Sequence, residues 1–210
     1  LGLLLNKDVV FNFRANDLAS GGQGAPIAPI YHKFLIESLN LKLPCCILNI
    51  GGVSNLTYWD GNKLIGFDTG PGNALMDDYM LNVLNKNYDK NGFLASKGFA
   101  IKEEVDKFLK NSFFKKPPPK SIDRNKFWKY YIELIGKNYS DSDVMATLAK
   151  ITIETILAGL RLLPKKIETI VITGGGYRNI HLVKCIKNIL KIRILDEQQL
   201  GIDFDYIESE

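Results

Sequence analysis

The sequence has few cysteines and histidines and no long apolar run. Its three cysteines form no CxxC pair, so neither a disulfide framework nor a cysteine-rich metal site is expected, and the chain is predicted to be intracellular with free thiols. The two histidines, His32 and His181, stand apart and outside any HExxH motif, which favours structural roles over metal binding. No stretch reaches about 18 uninterrupted apolar residues, so a membrane-spanning helix is excluded.

A strong excess of one charge sign is also lacking. The 27 basic and 23 acidic side chains leave a net charge of +4 spread along the chain, which does not require nucleic acid or an anionic membrane as a partner. Hydrophobic residues make up 46% of the chain, so the composition is that of a folded globular protein. A length of 210 residues allows one large domain or one and a half.

Two common nucleotide-binding motifs are missing. No Gly-Lys-Ser/Thr occurs, so the chain has no P-loop. The glycine-rich segment that begins at Gly174 has Asn179 in place of the third glycine of a dinucleotide fingerprint. If the protein binds a nucleotide, it therefore uses a binding motif other than these two.

From residue 45 onward, the apolar pattern predicts three strands, a helix, an insert, and then helix, strand, helix and strand. Asp60-Gly61 indicates a hairpin, so the first three strands are expected to form an antiparallel meander. Ahead of them we expect a strand at Val9–Phe13 and a helix at Ile30–Leu39. The predicted strands are Cys45–Ile50, Asn55–Trp59, Lys63–Asp68, Glu168–Thr173 and Ile192–Leu195, and the main helices are Asn73–Leu84, Phe127–Ile135, one starting at Ser142, and Asn179–Leu190.

This order predicts an α/β fold with a mixed five-stranded sheet and helices on both faces. It is typical of one ribonuclease-H-like half of the actin-like ATPases. Ligands of open α/β sheets gather at strand ends, where glycine turns let the backbone come close. Three predicted strands end in such turns, which are Gly51-Gly52, Gly70-Pro71-Gly72 and Gly174-Gly175-Gly176.

Each turn has a functional and a plain interpretation. The backbone N–H groups around Gly51-Gly52 can form an anion nest for phosphate, but glycine and asparagine are equally preferred in an ordinary hairpin turn. The triple glycine can accept a flat base or ribose against bare backbone. Asp68 can act as a general base or hold magnesium through water, or it can merely cap the turn that follows.

The stretch Lys107–Tyr131 mixes lysines with aromatic residues. Such interleaving can bind single-stranded nucleic acid. The alternative, which we favour, is a solvated lid whose aromatic side chains form a local core.

Taken together, these segments resemble one family closely, the anhydro-N-acetylmuramic acid kinases of bacterial cell-wall recycling. The resemblance runs in the family's order over essentially the whole chain, and the sequences GGQGAP and FDTGPGN are its most specific parts. The matching stretches are Phe13-Arg14, Asp17, Gly21–Pro26, Leu48–Gly52, Gly66–Asn73, Pro119–Ser121, Ala146–Leu148, Gly174–Gly176 with Asn179, and Gly201-Ile202 leading to Glu208.

The resemblance implies an ATP-dependent sugar kinase of the actin-like fold that uses Mg²⁺. Water opens the 1,6-anhydro bond of anhydro-N-acetylmuramic acid, and O6 takes the γ-phosphoryl group to give N-acetylmuramic acid 6-phosphate. By motif position, Asp68 is implied to be the general base, with no direct metal ligand. The implied nucleotide positions are Gly51, Gly52, Asn55, Gly70, Gly72, Gly174, Gly175, Gly176 and Asn179, and the implied substrate positions are Arg14, Asp17, Gln23 and Glu208.

The resemblance also implies a domain division. Residues 1–42 are expected to be the end of a first actin-like domain with an interdomain helix, and residues 43–210 a second domain with an insert at about 87–140. A small-molecule sugar partner, no nucleic acid or membrane partner, a possible homodimer and a cytoplasmic location follow from it. The alternatives are another actin-like sugar kinase or ATPase, and an inactive binding module.

The chain departs from the family pattern at three places. Asn12 stands where the family usually has Asp, and Ile122–Asn125 replace the usual Thr-Gly-Arg-Glu. The N-terminal phosphate-binding hairpin, with its Gly-Thr-Ser-x-Asp-Gly run, has no counterpart in these 210 residues. We therefore expect a fragment of a longer protein that turns over poorly or not at all.

Overall fold

The computed structural model describes residues 2–9, 11–22, 24 and 26–201, with the side chains of Phe13, Glu197 and Gln198 left out. Short 3-10 turns lie between several of the main elements. The helices are α1 (Gly2–Leu5), α2 (Phe13–Ala19), α3 (Pro29–Ser38), α4 (Ala74–Asn82), α5 (Lys102–Leu109), α6 (Trp128–Ile135), α7 (Asp141–Leu160), α8 (Ile180–Leu190) and α9 (Glu197–Leu200), and the strands are β1 (Cys45–Ile50), β2 (Val53–Trp59), β3 (Leu64–Pro71), β4 (Thr169–Thr173) and β5 (Arg193–Leu195).

The five strands form one mixed sheet in the order β3-β2-β1-β4-β5. β2 pairs antiparallel with β1 and β3, whereas β4 pairs parallel with β1 and β5. Consequently β1, β3, β4 and β5 all run in one direction, and their carboxyl ends meet at the same edge. The predicted meander and the predicted mixed sheet are confirmed.

Helices cover both faces of the sheet. One face carries the larger core, in which α4, α7 and α8 pack on side chains such as Cys46 and Leu48. The other face is covered by α3, whose Leu35 and Ile36 pack on Cys45 and Ile47. The adjacent cysteines therefore point to opposite faces, as strand geometry requires.

The long helix α7 has a capped N-terminus and is mostly buried. Ser140 accepts a hydrogen bond from the Asp143 backbone N–H at its N-terminus, and Asp141 and Asp143 favour the positive end of the helix dipole. Thirteen of its 20 residues are buried. Among the described residues, no helix is both long and apolar enough to cross a membrane.

The predicted strand at Val9–Phe13 is wrong. Helix α2 begins at Phe13, and Asn12 precedes it with a left-handed backbone at φ +64°. Val9 is 41% exposed and Phe11 is 78% exposed, so neither meets a neighbouring strand; Val10 lies outside the described residues. Strand preference depends on packing against neighbouring strands, and no strand pairs with this run in the described part of the fold.

The aromatic residues of the Lys107–Tyr131 stretch form a local core. The Phe108 ring lies 5.3 Å from Phe114, 4.8 Å from Phe127 and 4.7 Å from Tyr130, measured between ring centroids. Phe108, Phe114 and Phe127 belong to the larger core. The aromatic side chains thus pack together as expected, but as part of the larger core; the interpretation of the stretch as a solvated lid stays a prediction.

His32 fixes α3 to the sheet. Its side chain is 1% exposed, and Nδ1 lies 2.7 Å from the Thr57 hydroxyl on β2. Burial lowers the pKa of His32 to about 4, because the charged imidazolium is poorly solvated there. The sequence-based assignment of a structural role is consistent with this contact.

We expect the stability contributed by neutral His32 to be lost in acid. The unfolded chain takes up the proton near pH 6.5, whereas the folded chain does so only near pH 4, so the loss begins below about 6.5 and reaches at most about 3 kcal/mol. His32→Gln keeps a polar partner for Thr57 but does not titrate. The free energy of unfolding should therefore fall faster in wild type than in this variant as the pH decreases from about 7 to about 4.5. Parallel curves would contradict the prediction.

Candidate functional site

The three predicted glycine turns meet at one edge of the sheet. The backbone N–H of Gly72 donates to the Gly52 carbonyl at 2.9 Å, and that of Asn73 donates to the Gly51 carbonyl at 2.7 Å. The two turns that follow β1 and β3 are thus joined directly. Since β4 is the parallel neighbour of β1, its terminal turn lies at the same edge.

Some of these glycines are required by close approach of the backbone. A Cβ on Gly72 would lie 2.1 Å from the Gly51 carbonyl oxygen, and one on Gly176 would lie 2.4 Å from Cγ2 of Ile50. Gly174 has φ +78°, and its Cβ would lie 2.2 Å from Oδ1 of Asn49. Side chains at these positions would push the turns apart.

Other glycines in the same turns face open space. The nearest atom to a Cβ would be 3.5 Å away at Gly51, 3.9 Å at Gly52 and 3.7 Å at Gly175. Gly70 belongs to the crowded set, because its Cβ would lie 2.8 Å from Cβ of Thr155. Gly51, Gly52 and Gly175 are therefore the bare backbone that a ligand can approach.

Two asparagines at this edge precede helices, but only one of them caps its helix. The Asn179 side chain accepts a hydrogen bond from the Leu182 N–H at 3.0 Å and caps α8. Asn73 lies at the predicted start of α4 but its side chain makes no capping hydrogen bond; its amide instead donates to the Ile50 carbonyl at 3.1 Å. The Asn73 amide thus links the start of α4 to the end of β1.

A pocket of about 410 Å³ opens beside the glycine turns. Asn73, Gly175 and Asn179 line it together with Arg178 and Asp77. Burial raises the pKa of Asp77 to about 6, while Arg124 acts in the opposite direction. The pocket thus contains bare backbone, amide groups and a half-buried carboxyl group.

A row of polar side chains crosses four strands at the same edge. The register places Asp68 opposite Asn55, Asn55 opposite Asn49, and Asn49 opposite Thr173. Directly opposed residues share a face of the sheet, so the row lies on the α3 side. The Thr173 hydroxyl is fully buried and has no hydrogen-bond partner within the described ranges.

Asp68 lies on β3, and both its backbone and its side chain are hydrogen-bonded to the insert. Its side chain is 6% exposed, its Oδ2 accepts a hydrogen bond from the Ile122 N–H at 2.9 Å, and its own N–H donates to the Lys120 carbonyl at 3.0 Å. Burial raises the pKa of Asp68, while the Ile122 N–H, Arg14 and Lys120 oppose that shift. Its environment therefore makes the carboxylate a stronger proton acceptor than a solvent-exposed one.

The contacts of Asp68 differ from the simplest expectation. Its Oδ2 bonds to the insert, 54 residues away in sequence, instead of capping the turn that follows. Within the described part of the chain, the Ile122 N–H is the hydrogen-bond donor to this carboxylate, and it bonds to Oδ2. The role of Asp68 as a general base stays a prediction.

The implied substrate positions are only partly described. Arg14 is exposed on α2 and lies near enough to Asp68 to act on its charge. Oδ2 of Asp17 accepts a hydrogen bond from the Gly24 N–H at 2.7 Å, so this carboxylate is tied to Gly24. Gln23 and Glu208 lie outside the described residues.

Sequence reasoning missed two titratable groups at the site. Lys120 is 1% exposed, although it stands in a lysine-rich segment that the composition assigns to solvent. Asp77 lies on α4 among residues that are mostly buried. The sequence offered no signal that separates Asp77 from its neighbour Asp78 on α4; for Lys120, only the Pro119–Ser121 motif marked the position.

The sheet order and the glycine turns that meet at one edge are those of the actin-like ATPase fold, which the sequence predicts. The chain belongs to the anhydro-N-acetylmuramic acid kinase family, whose model matches residues 5–210.

Curated relatives with the same family name support this membership. One from Rhodopseudomonas palustris is 43% identical over 204 residues, which cover 96% of this chain and 54% of the relative. One from Zymomonas mobilis is 36% identical over 204 residues, which cover 96% of this chain and 54% of the relative. The chain thus spans just over half the length of these relatives.

Proposed function

We propose that this chain is part of an ATP-dependent kinase that acts on anhydro-N-acetylmuramic acid. Water adds to the anomeric carbon, the bond from that carbon to the bridging oxygen breaks, and the released O6 receives the γ-phosphoryl group. The products are N-acetylmuramic acid 6-phosphate and ADP. Family membership and the names of the curated relatives support this reaction.

One structural observation carries the proposal for the site. The exposed glycine turns and the Asp68 carboxylate occupy the same sheet edge, with Asn55 opposite Asp68 in the register. Bare backbone suits phosphate groups, and a buried carboxylate suits proton abstraction. A kinase that also hydrolyses a bond needs both of these features.

The described residues fit a nucleotide. Gly51 and Gly52 offer uncrowded backbone for phosphates, and the 410 Å³ pocket beside Gly175 and Asn179 is in the size range of small-molecule sites. ATP supplies the transferable phosphoryl group. No cluster of three or more metal-ligating side chains occurs in the described ranges. Mg²⁺ usually binds substrate phosphates and keeps several waters, and we expect the same here.

Asp68 would orient the attacking water and take its proton on Oδ1, while the Ile122 N–H holds Oδ2. Arg14 would contact the sugar from α2. Asp17 would act through Gly24, to which its carboxylate is already bonded, and Gln23 is a further proposed substrate position. Glu208 completes the proposed substrate positions.

The remaining assignments are proposals of the same kind. We expect a small-molecule sugar as the partner, a cytoplasmic location, a homodimer, and a domain division between residues 42 and 43. We also expect this chain alone to turn over poorly, because actin-like kinases close two halves around ATP.

The test uses a joined protein, in which the flanking segments of the Rhodopseudomonas palustris relative are fused to this chain. With ATP, Mg²⁺ and the anhydro sugar, it should release ADP and a 6-phosphorylated sugar in equal amounts, detected by mass spectrometry. Phosphorylation of a different acceptor in preference to the anhydro sugar would contradict the proposed substrate.

Nucleotide placement is tested by filling the pocket. The nearest atom to a Cβ on Gly175 is 3.7 Å away, so Gly175→Val should leave the fold intact while its methyl groups enter the pocket. We expect the affinity for ATP, measured by calorimetry, to fall at least about tenfold. Gly136→Ala, an exposed site at the end of α6, is the control. Equal affinities in the two variants would place the nucleotide elsewhere.

A further inference from the structure

Lys120 is a buried cation close to the site. Its side chain is 1% exposed, and its Nζ donates to the Phe113 carbonyl at 3.0 Å. The ammonium also lies 4.6 Å from the centroid of the Phe113 ring and 5.6 Å from that of Phe67. No other lysine within the described ranges is buried.

Burying an ammonium group is costly unless compensating groups surround it. Burial and the nearby Lys116 lower the pKa of Lys120 to about 8, whereas Asp68 acts to raise it. The group therefore remains mostly protonated at neutral pH. One carbonyl and two ring faces offset part of the desolvation cost, and the Asp68 carboxylate supplies an opposite charge.

The segment that carries Lys120 also fixes Asp68 through its backbone. The Lys120 carbonyl accepts from the Asp68 N–H at 3.0 Å, and two residues later the Ile122 N–H donates to Oδ2 of Asp68. β3 is the edge strand of the sheet, so this segment occupies a backbone position that a neighbouring strand would otherwise fill. The orientation of the carboxylate thus depends on where residues 120–122 are anchored.

We propose that Lys120 is a positioning residue for Asp68, because its buried ammonium anchors residues 120–122 against β3 and adds a positive charge beside the carboxylate. The inference rests on the proposed function for its catalytic consequence. The electrostatic coupling between the Lys120 and Asp68 side chains can be measured without any catalytic turnover.

The coupling is measured in this chain by NMR titration of the Asp68 carboxyl carbon. Lys120→Met keeps the length and packing of the side chain but removes its charge, so the pKa of Asp68 should shift upward. Lys120→Arg retains the charge and should restore a value near that of wild type. Lys115→Met removes an exposed charge from the same segment and should leave the titration unchanged. The remaining charge acting on Asp68 is Arg14, which is the same in all four proteins.

A reciprocal measurement covers the case in which Lys120→Met does not fold. Coupled groups shift each other, so Asp68→Asn should lower the pKa of Lys120, read from its Cε resonance. If neither titration responds to the other substitution, Lys120 is a purely structural residue and the proposal is overturned.

The joined protein then separates this inference from the proposed function. We expect Lys120→Met to lower kcat more than it raises KM, and to move the acid limb of the pH–rate profile upward. Coupled titrations without any sugar phosphorylation would contradict the proposed function but keep the coupling. Phosphorylation with an unmoved acid limb would overturn the positioning role alone.

Discussion

Asp68→Asn should lower kcat/KM of the joined protein by about 10²- to 10⁴-fold, the usual contribution of a positioned general base. The amide has the size of the carboxylate and keeps an oxygen for the Ile122 N–H, so the segment at residues 120–122 should stay in place. It cannot take a proton from water. ADP release coupled to the anhydro sugar is the measurement, with product identity checked by mass spectrometry.

Two controls make this loss interpretable. The affinity for ATP should remain within about twofold of wild type, since the implied nucleotide positions lie at the glycine turns. Asp106→Asn removes an exposed carboxylate that pairs with Lys102 on α5, and it should leave the rate unchanged. An Asp68→Asn enzyme with full activity would rule out the proposed base.

The local pattern of apolar residues and turn residues was sufficient to predict the sheet. Strands β1 to β4 bury most of their side chains, and β1, β2 and β4 end next to glycine turns as predicted, so short-range sequence signals and long-range packing agree there. β3 instead continues through Gly70 to Pro71, beyond its predicted end at Asp68. The parallel pairing of β1 with β4 follows from the helix-alternating order after residue 140. These features required no knowledge of individual side-chain contacts.

The parts that sequence did not predict depend on distant partners. The bond from the Ile122 N–H to Asp68 and the burial of Lys120 both arise where the insert returns to the edge of β3. The Pro119–Ser121 motif marks Lys120, but nothing in the local composition predicts its burial, since the nearby Lys115 and Lys116 are exposed. The Val9–Phe13 strand failed for the converse reason, because a β-prone run without a neighbouring strand does not form one.

Because the glycine turns meet so closely, we expect the substitution Gly72→Ala to have the largest effect on the stability of the chain. Gly72→Ala places a methyl group 2.1 Å from the Gly51 carbonyl oxygen and 3.2 Å from the Ser54 nitrogen, and both of these are backbone atoms that cannot move aside alone. We expect the free energy of unfolding of this chain, measured in urea, to fall by about 3 kcal/mol or more.

Gly51→Ala is the matched control across the same contact. Its added methyl group meets only the Val53 carbonyl at an ordinary 3.5 Å, so stability should change by less than about 0.5 kcal/mol. If Gly51→Ala also weakens ATP binding at unchanged stability, the two glycines have separate purposes, one for packing the turns and one for the ligand. A Gly72→Ala chain as stable as wild type would mean that the turns do not meet as closely as described, and the proposed phosphate site would lose its structural basis.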